Sequence, residues 1–417
     1  MSVTKRRPRA LVIGAGIGGL TAALALEAAG WDVHVHERAT ALEPVGSGLG
    51  IAPNALRALD TLGLGDEVRA VAAVQGEGGL RRPSGRWLAR TSGEAIARTF
   101  GDPLAVVHRA ELVALLAGHL RPGALHTGSE LRVLDAGDPG HAATHPADPG
   151  RPAVVSRPDG SRLDAELVVA ADGIHSPVRG LLFPDHPGPR YSGFTTWRTV
   201  IPTPERAPGP LGEVWGAGSL TGVLPLPHGR TYLYAAAVAP AGTRAEDGDE
   251  RADLLRRFGH WCAPLPDLLG AARPELVLRN DVHEMTTPLP AFHSGRVALV
   301  GDAAHAMTPF QGQGACQAIE DAVVLAHALG TTASLAAALS AYSAARLPRA
   351  TDVVRRSARV ARAVAVRSRA GVALRDAAFL LAGQLPESAV VRGAAPTFDW
   401  RPPTLPGNVT GKATASA

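Results

Sequence analysis

Only two cysteines, Cys262 and Cys316, occur in this 417-residue chain, far apart and without metal-ligand spacing. That leaves no disulfide framework and no zinc site, no metal is expected, and a reducing cytoplasm suits the chain. Aromatic residues are only 4% of the total, too few to interleave with basic side chains as a nucleic-acid stacking surface requires. No long hydrophobic run is present either. The most apolar late stretch, 371–384, contains Arg375 and Asp376 and falls short of the ~20 residues that cross a bilayer. The run 10–13 is too short for a signal-peptide core, so no membrane anchor is expected. What is abundant describes a globular protein: 46% hydrophobic and 19% charged residues, in a chain long enough for two domains sharing one large core. The formal charge of +4 comes from scattered arginines and points at most to anionic small molecules.

The first 40 residues read as a nucleotide-binding unit. Residues 10–13 form a strand, Gly14-Ala15-Gly16-Ile17-Gly18-Gly19 a glycine loop, and residues 20–29 a helix. This is G-x-G-x-x-G in the context the motif needs, with a strand before and a helix after. Gly14 permits the tight turn, Gly16 lets a pyrophosphate approach the backbone, and Gly19 lets helix and strand pack closely. The phosphates then rest on the helix N-terminus. A second strand, 33–36, ends at Glu37, close to the spacing of about 20 residues at which an acid binds a ribose 2′-OH. An acid there fits FAD or NAD rather than NADP. Arg38 either lies along the adenine or is a surface arginine. The stretch 44–54 is glycine-rich, and Arg109 opens a helix whose dipole it opposes, so it needs an anionic partner.

Two further strands end in acids. Residues 167–171 lead to Asp172-Gly173, after which Ser176 caps a helix starting at Pro177. The most informative stretch is RVALVGDAAHAMTPFQGQGACQAIED, residues 296–321. Its strand ends at Asp302, where open α/β sheets bind ligands. Thr308-Pro309-Phe310 and the side-chain-poor Gln311-Gly312-Gln313-Gly314 follow, and a helix begins near Ala315. An acid, a bare loop and a helix N-terminus converge there, an arrangement suited to hydroxyls and to a flat ring that becomes anionic.

Between 191 and 290 the pattern changes to alternating strands with hairpin turns and one helix at 250–262. The expected fold is α/β: a Rossmann-like FAD-binding domain in two parts, 1–190 and 291–385. An antiparallel β-sheet substrate domain is inserted at 191–290, C-terminal helices follow, and 386–417 forms a tail. Trp197, Arg198, Trp215 and Phe310 are candidate walls of the substrate pocket, and His141 and His145 are solvated loop residues.

Together these segments resemble the single-component FAD-dependent aromatic hydroxylases, the group A flavoprotein monooxygenases. The glycine loop ending in Glu37-Arg38, the Asp-Gly motif at 171–179 and the Gly-Asp motif at Gly301-Asp302 occur in that family's order, over residues 10–360. The resemblance implies that Glu37 binds the adenosine ribose and that Arg38 and Leu131 lie near the adenosine. Arg109 then contacts the FAD phosphates and Gly50 lines the flavin. Asp302 binds the ribityl and pyrophosphate portion, and Gly312, Gln313, Gly314 and Ala315 lie against the ring. Asp172 and Gly173 belong to the motif linked to both FAD and NAD(P)H. Pro309 matches the proline beside the reactive flavin carbon, and Arg198 the arginine that anchors a phenolate in some members. The implied reaction uses NADH or NADPH and O2, passes through a flavin C4a-hydroperoxide and hydroxylates a small aromatic substrate. Flavin-dependent halogenases share the fold, but their W-x-W-x-I-P segment is missing from Thr196–Pro202. A non-oxygenating FAD oxidoreductase is the alternative. The oligomeric state, monomer or homodimer, is not legible.

Overall fold

The strand Arg9–Ile13 is apolar on both faces, as a parallel strand covered by helices on both sides must be. It lies near the middle of a six-stranded sheet ordered His293–Ser294, Val297–Leu299, Leu167–Ala170, Arg9–Ile13, Asp32–His36, Leu125–His126. All neighbours pair in parallel except the edge strand His293–Ser294. The helix Ile17–Ala28 connects Arg9–Ile13 to Asp32–His36 and packs against the helix Gly314–Thr331. The computed structural model describes residues 7–42, 47–140, 150–203 and 212–405. His141, His145, part of the 44–54 loop and residues 407–417 of the expected tail lie outside these.

A seven-stranded sheet forms the second layer, ordered Leu278–Glu284, Arg190–Pro202, Arg230–Val238, Ser219–Leu226, Glu213–Trp215, Glu77–Arg81, Trp87–Ser92. Its last two strands come from the first 190 residues. The Pro83-Ser84-Gly85 hairpin thus belongs to the sheet of the insert, joined through a parallel pairing of Glu77–Arg81 with Glu213–Trp215. Only long-range pairing could place it there, since a hairpin's own residues do not name their next neighbour.

Side chains alternate across a strand, and this sheet separates its two faces cleanly. Trp197, Ile201, Leu233 and Ala235 pack with Phe258, Trp261 and Leu268 beneath the helices Glu250–Phe258 and Leu265–Gly270. Phe194, Trp215, Leu220 and Ala236 turn the other way, toward Phe310 and Val364. Val200, Leu224 and Tyr232 share that second face and touch Val106.

Residues 386–405 of the expected C-terminal tail are docked on the body of the protein. Val391 packs with Ala95 and Phe100, the Arg57 guanidinium donates to the carbonyls of Phe398 and Trp400, and Leu405 is buried in the main core. Proline and small residues in this stretch read as turn-rich, yet the orphan carbonyls of residues 398–400 find a donor in a distant arginine.

Candidate active site

Three loops meet at the carboxyl end of the six-stranded sheet. Gly14 has φ +102°, and a Cβ on it would lie 2.4 Å from the Ala171 carbonyl oxygen, so the glycine loop sits directly on the Asp172 turn. A Cβ on Gly19 would lie 2.0 Å from the Gly14 oxygen, and one on Gly18 3.0 Å from Ala318 Cβ. Gly16 has open space around it and leads into the helix Ile17–Ala28, which has no side-chain cap. Free N–H groups at a helix start beside a bare glycine form an anion site.

Glu37 stands at the edge of this loop. Its carboxylate accepts from Ala15 N–H and Ala39 N–H, both at 2.9 Å. Two bonds leave about half of its acceptor positions for hydroxyls of a ligand. Arg38 is exposed, while Leu131 is buried in the main core.

Ser176 accepts from Arg179 N–H at 2.9 Å and so caps Pro177–Leu182 as the residues predict. Asp172 accepts from Val178 N–H at 3.2 Å, while its Oδ1 is buried and unpaired among the described residues. Burial pushes its carboxyl above the usual range, against the pull of Ser176 and Val178 N–H. Arg179 was not singled out in the sequence. Its buried guanidinium donates to the Ile174 carbonyl at 2.7 Å and the Ala303 carbonyl at 3.1 Å, tying the Asp172 turn to the Asp302 turn. An arginine in a short helix gives no sign of this role until the two turns are neighbours.

Asp302 opens onto the cleft at the end of Val297–Leu299. The surrounding protein pushes its carboxyl up, opposed by His305, Arg109 and Arg179. Arg109 is held by its backbone, which donates to Ser47 O at 2.9 Å. Its guanidinium makes no hydrogen bond among the described residues. Desolvation and the charge of Arg198 lower its pKa, and Asp302 opposes them. Two cations and one acid thus share the cleft without pairing off.

Gly312 (φ +62°) and Gly314 have open space where a side chain would be, while a Cβ on Gly50 would lie 3.3 Å from Leu104. Cys316 stitches the two flat-ring loops together: its thiol lies 3.6 Å from Gly50 O and 3.7 Å from Gly312 O. Burial pushes this thiol up to about 12, so it serves as a small packed donor and not as a nucleophile. Pro309 is exposed, and the turn beside it is anchored where Ser357 donates to Thr308 O at 2.6 Å. Gln313 is buried, bonded to Asn54 and Gln317, with its Nε2 unpaired among the described residues.

Beneath the cleft lies a buried ionic network that the residues did not announce. Asp321 accepts from Gly301 N–H at 2.8 Å, His305 Nε2 at 2.6 Å and Arg346 Nε at 2.7 Å. Burial alone would raise its pKa; His305 and Arg346 outweigh that and bring it down to about 2. Glu320 accepts from Arg346, Arg349 and Asn54. Asp321 thereby fixes the backbone that presents Asp302.

Of the expected pocket walls, Phe310 and Trp215 fall in one apolar cluster on the same face of the sheet; Phe310 meets Phe194 edge to face at 4.8 Å, and Trp215 packs on Phe379 at 5.3 Å. Trp197 falls outside that cluster. It donates to Glu250 at 2.7 Å beneath the far face of the sheet. Adjacent residues of one strand point to opposite faces, so Trp197 and Arg198 cannot both line one pocket. Arg198 is the one on the cleft side, with Nη2 on Asn280 Oδ1 at 2.7 Å.

Glycines whose added Cβ would strike backbone, an uncapped helix start, and unpaired donors and acceptors around a bare loop together fit a dinucleotide bearing a flat ring. Residues 7–357 match the family model of the FAD binding domain. The chain is 38% identical over 351 residues to the aurachin C monooxygenase/isomerase of Stigmatella aurantiaca, covering 84% of this chain and 88% of that one. It is 35% identical to the FAD-dependent urate hydroxylase of Klebsiella pneumoniae, over 83% and 88% of the two chains. In three dimensions it is similar to Klebsiella pneumoniae HpxO complexed with FAD and uric acid, at a TM-score of 0.83 and 29% identity, covering 94% and 96%. The chain belongs to the FAD binding domain family. It is an FAD-dependent monooxygenase of the aromatic hydroxylase type, with NAD(P)H and O2 as co-substrates. Among the described residues no helix is long and apolar enough to cross a membrane.

Proposed function

We propose that this enzyme hydroxylates an electron-rich aromatic compound bearing an acidic hydroxyl, which Arg198 holds in its ionised form. The carrying observation is the side of the sheet on which Arg198 stands: opposite Trp197, toward the cleft, within electrostatic range of Arg109. FAD, when bound and reduced by NADH or NADPH, supplies the oxygen-activating chemistry. The chain's own residues bind, orient and exclude water. Glu37 takes the adenosine ribose, with Arg38 and Leu131 flanking it. Arg109 and the start of the helix at Gly16 take the phosphates, and Asp302 takes the ribityl hydroxyls. Gly50, Gly312, Gln313, Gly314 and Ala315 bound the ring. Asp172 and Gly173 support the cofactor from below. Pro309 adjoins the reacting flavin carbon, and Phe310 and Trp215 wall the substrate side. The insert 191–290 acts as the lid over that ring, and a phenolate is more nucleophilic than its phenol, so a cation that favours it favours oxygen transfer.

The test is NAD(P)H consumption with labelled O2 across phenols, aromatic acids, purines and polycyclic phenols. Stimulation by one class, with label in the product, is expected. Oxidation of NAD(P)H that never places label in an organic product would instead indicate a non-oxygenating flavoenzyme. Arg198→Met is expected to weaken ionised substrates about tenfold to a hundredfold, the worth of a hydrogen bond to a charged group. Normal turnover by that variant would sink the assignment.

A further inference from the structure

The arginines of this chain are scattered with one exception. Between positions 353 and 386 lie seven arginines and one aspartate, a surplus of positive charge larger than the +4 of the whole chain. Two of the seven have partners: Arg356 pairs with Asp352, and Arg375 is buried against Asp376. The other five, Arg355, Arg359, Arg362, Arg367 and Arg369, are exposed and form no ion pair among the described residues. Arg355, Arg359 and Arg362 stand four and three residues apart on the helix Leu335–Val364, so they share its outer side. Like charges at that spacing repel and weaken a helix. An anionic partner relieves that repulsion.

The next helix, Arg369–Ala382, adds an apolar face. Its only charges past Arg369 are Arg375 and Asp376, both buried. Leu374 is 74% exposed, and Leu381, seven residues on and on the same side, is 67% exposed. Leu385, 55% exposed, follows in the turn after the helix. Three of the seven large apolar side chains exposed among the described residues thus fall within twelve positions. Clustered apolar exposure marks a contact surface, whereas single exposed leucines do not. The corner between the two helices is pinned. The Arg375 guanidinium donates to Gly216 O at 3.0 Å and Ala363 O at 3.4 Å, and Gly218 N–H donates to Val366 O at 2.9 Å.

We propose that the outer faces of these two helices form a peripheral binding surface for an anionic phospholipid bilayer. The chain lies on the bilayer and does not cross it: the arginines stay among the headgroups while Leu374, Leu381 and Leu385 enter the acyl boundary. The surface suits a second copy poorly, because an isologous pairing would bring two cationic stretches together. None of its residues belongs to the cofactor or substrate site described above.

The experiment sediments the FAD-loaded protein with vesicles of phosphatidylcholine alone and of phosphatidylcholine mixed with phosphatidylglycerol. Binding to the mixed vesicles is expected to be about a hundredfold tighter or more, from several arginines each worth about fivefold near an anionic surface. The double variant Arg359→Gln/Arg362→Gln is expected to weaken that binding about thirtyfold, a deficit that shrinks as salt is raised. Leu381→Ser is expected to weaken it about tenfold, a deficit that salt leaves in place. All three side chains are exposed, so both variants are expected to retain flavin and to oxidise NAD(P)H in solution as wild type does. Equal binding to both kinds of vesicle, no binding to either, or variants that bind as tightly as wild type overturns the proposal. Sedimentation velocity without vesicles tests the rival occupant: a dimer that Leu381→Ser dissociates overturns the bilayer assignment in favour of a second copy. Vesicle binding abolished by inorganic phosphate at constant ionic strength would reveal a phosphate site in place of a bilayer surface, and overturns it as well.

Discussion

Asp321→Ala is expected to lower stability by about 3–5 kcal/mol, the cost of removing one carboxylate from a buried ionic network. Arg346, 1% exposed, loses one of its two carboxylate partners and keeps Glu320, while His305 and the Gly301 N–H lose their acceptor. Chemical denaturation of the FAD-free protein measures the loss. A variant within 1 kcal/mol of wild type, by the same measure, would show that the network contributes little net stability, as buried pairs can. The effect reaches the site, because Gly301 is the residue before Asp302 and its φ of +60° depends on that hydrogen bond for its place. FAD retention should fall with stability.

The same carboxylate carries a pH signature. Its pKa is depressed in the folded state, from 3.8 to about 2. Ionised Asp321 therefore stabilises the fold above about pH 4, and the contribution is lost as pH falls through the window from 4 to 2. The difference amounts to about 2 kcal/mol. Denaturation midpoints at pH 6 and pH 3 should converge for wild type and Asp321→Asn as the pH is lowered. Parallel curves would assign acid sensitivity to other carboxylates.

Gly19→Ala is expected to lower FAD affinity at least a hundredfold, with a stability loss of about 1–3 kcal/mol typical of overpacking. The methyl would lie 2.0 Å from the Gly14 carbonyl oxygen and 3.1 Å from Ala171 Cβ. Both belong to backbone turns that cannot rotate away as a flexible side chain can. The helix Ile17–Ala28 must instead retreat from the sheet, taking with it the free N–H groups that face the phosphates. Flavin content after purification, and calorimetric titration of the stripped protein with FAD, give the result. Full flavin occupancy would mean that the loop accommodates the added methyl without moving the helix. Gly118→Ala, at the end of the helix Arg109–Gly118, is the control, since nothing lies within 4 Å of its added methyl.

Much of the cofactor half was legible along the chain. Gly14, Gly16, Gly19 and Glu37 sit within one strand–loop–helix–strand unit, where contacts are local and the demands on each residue are set by backbone geometry. The stretch 296–321 was legible for the same reason: a buried strand, an acid, a bare loop and a helix follow in order. The substrate half was not. Whether Trp197 or Arg198 faces the cleft depends on which side of the sheet receives helices 250–258 and 265–270, and no residue near 197 records that.

What the sequence determined by itself is a dinucleotide fold with a flavin-type loop, because glycines at sterically forbidden positions and acids at strand ends declare local constraints. The tertiary structure alone decided how that site is supported and what it can recognise. Glu320, Asp321 and Arg346 look like ordinary polar residues on alanine-rich helices until packing buries them together. Arg179 bridges two turns that lie more than a hundred residues apart in the chain. Burial and long-range pairing assign these roles, and both arise from the whole chain folding at once.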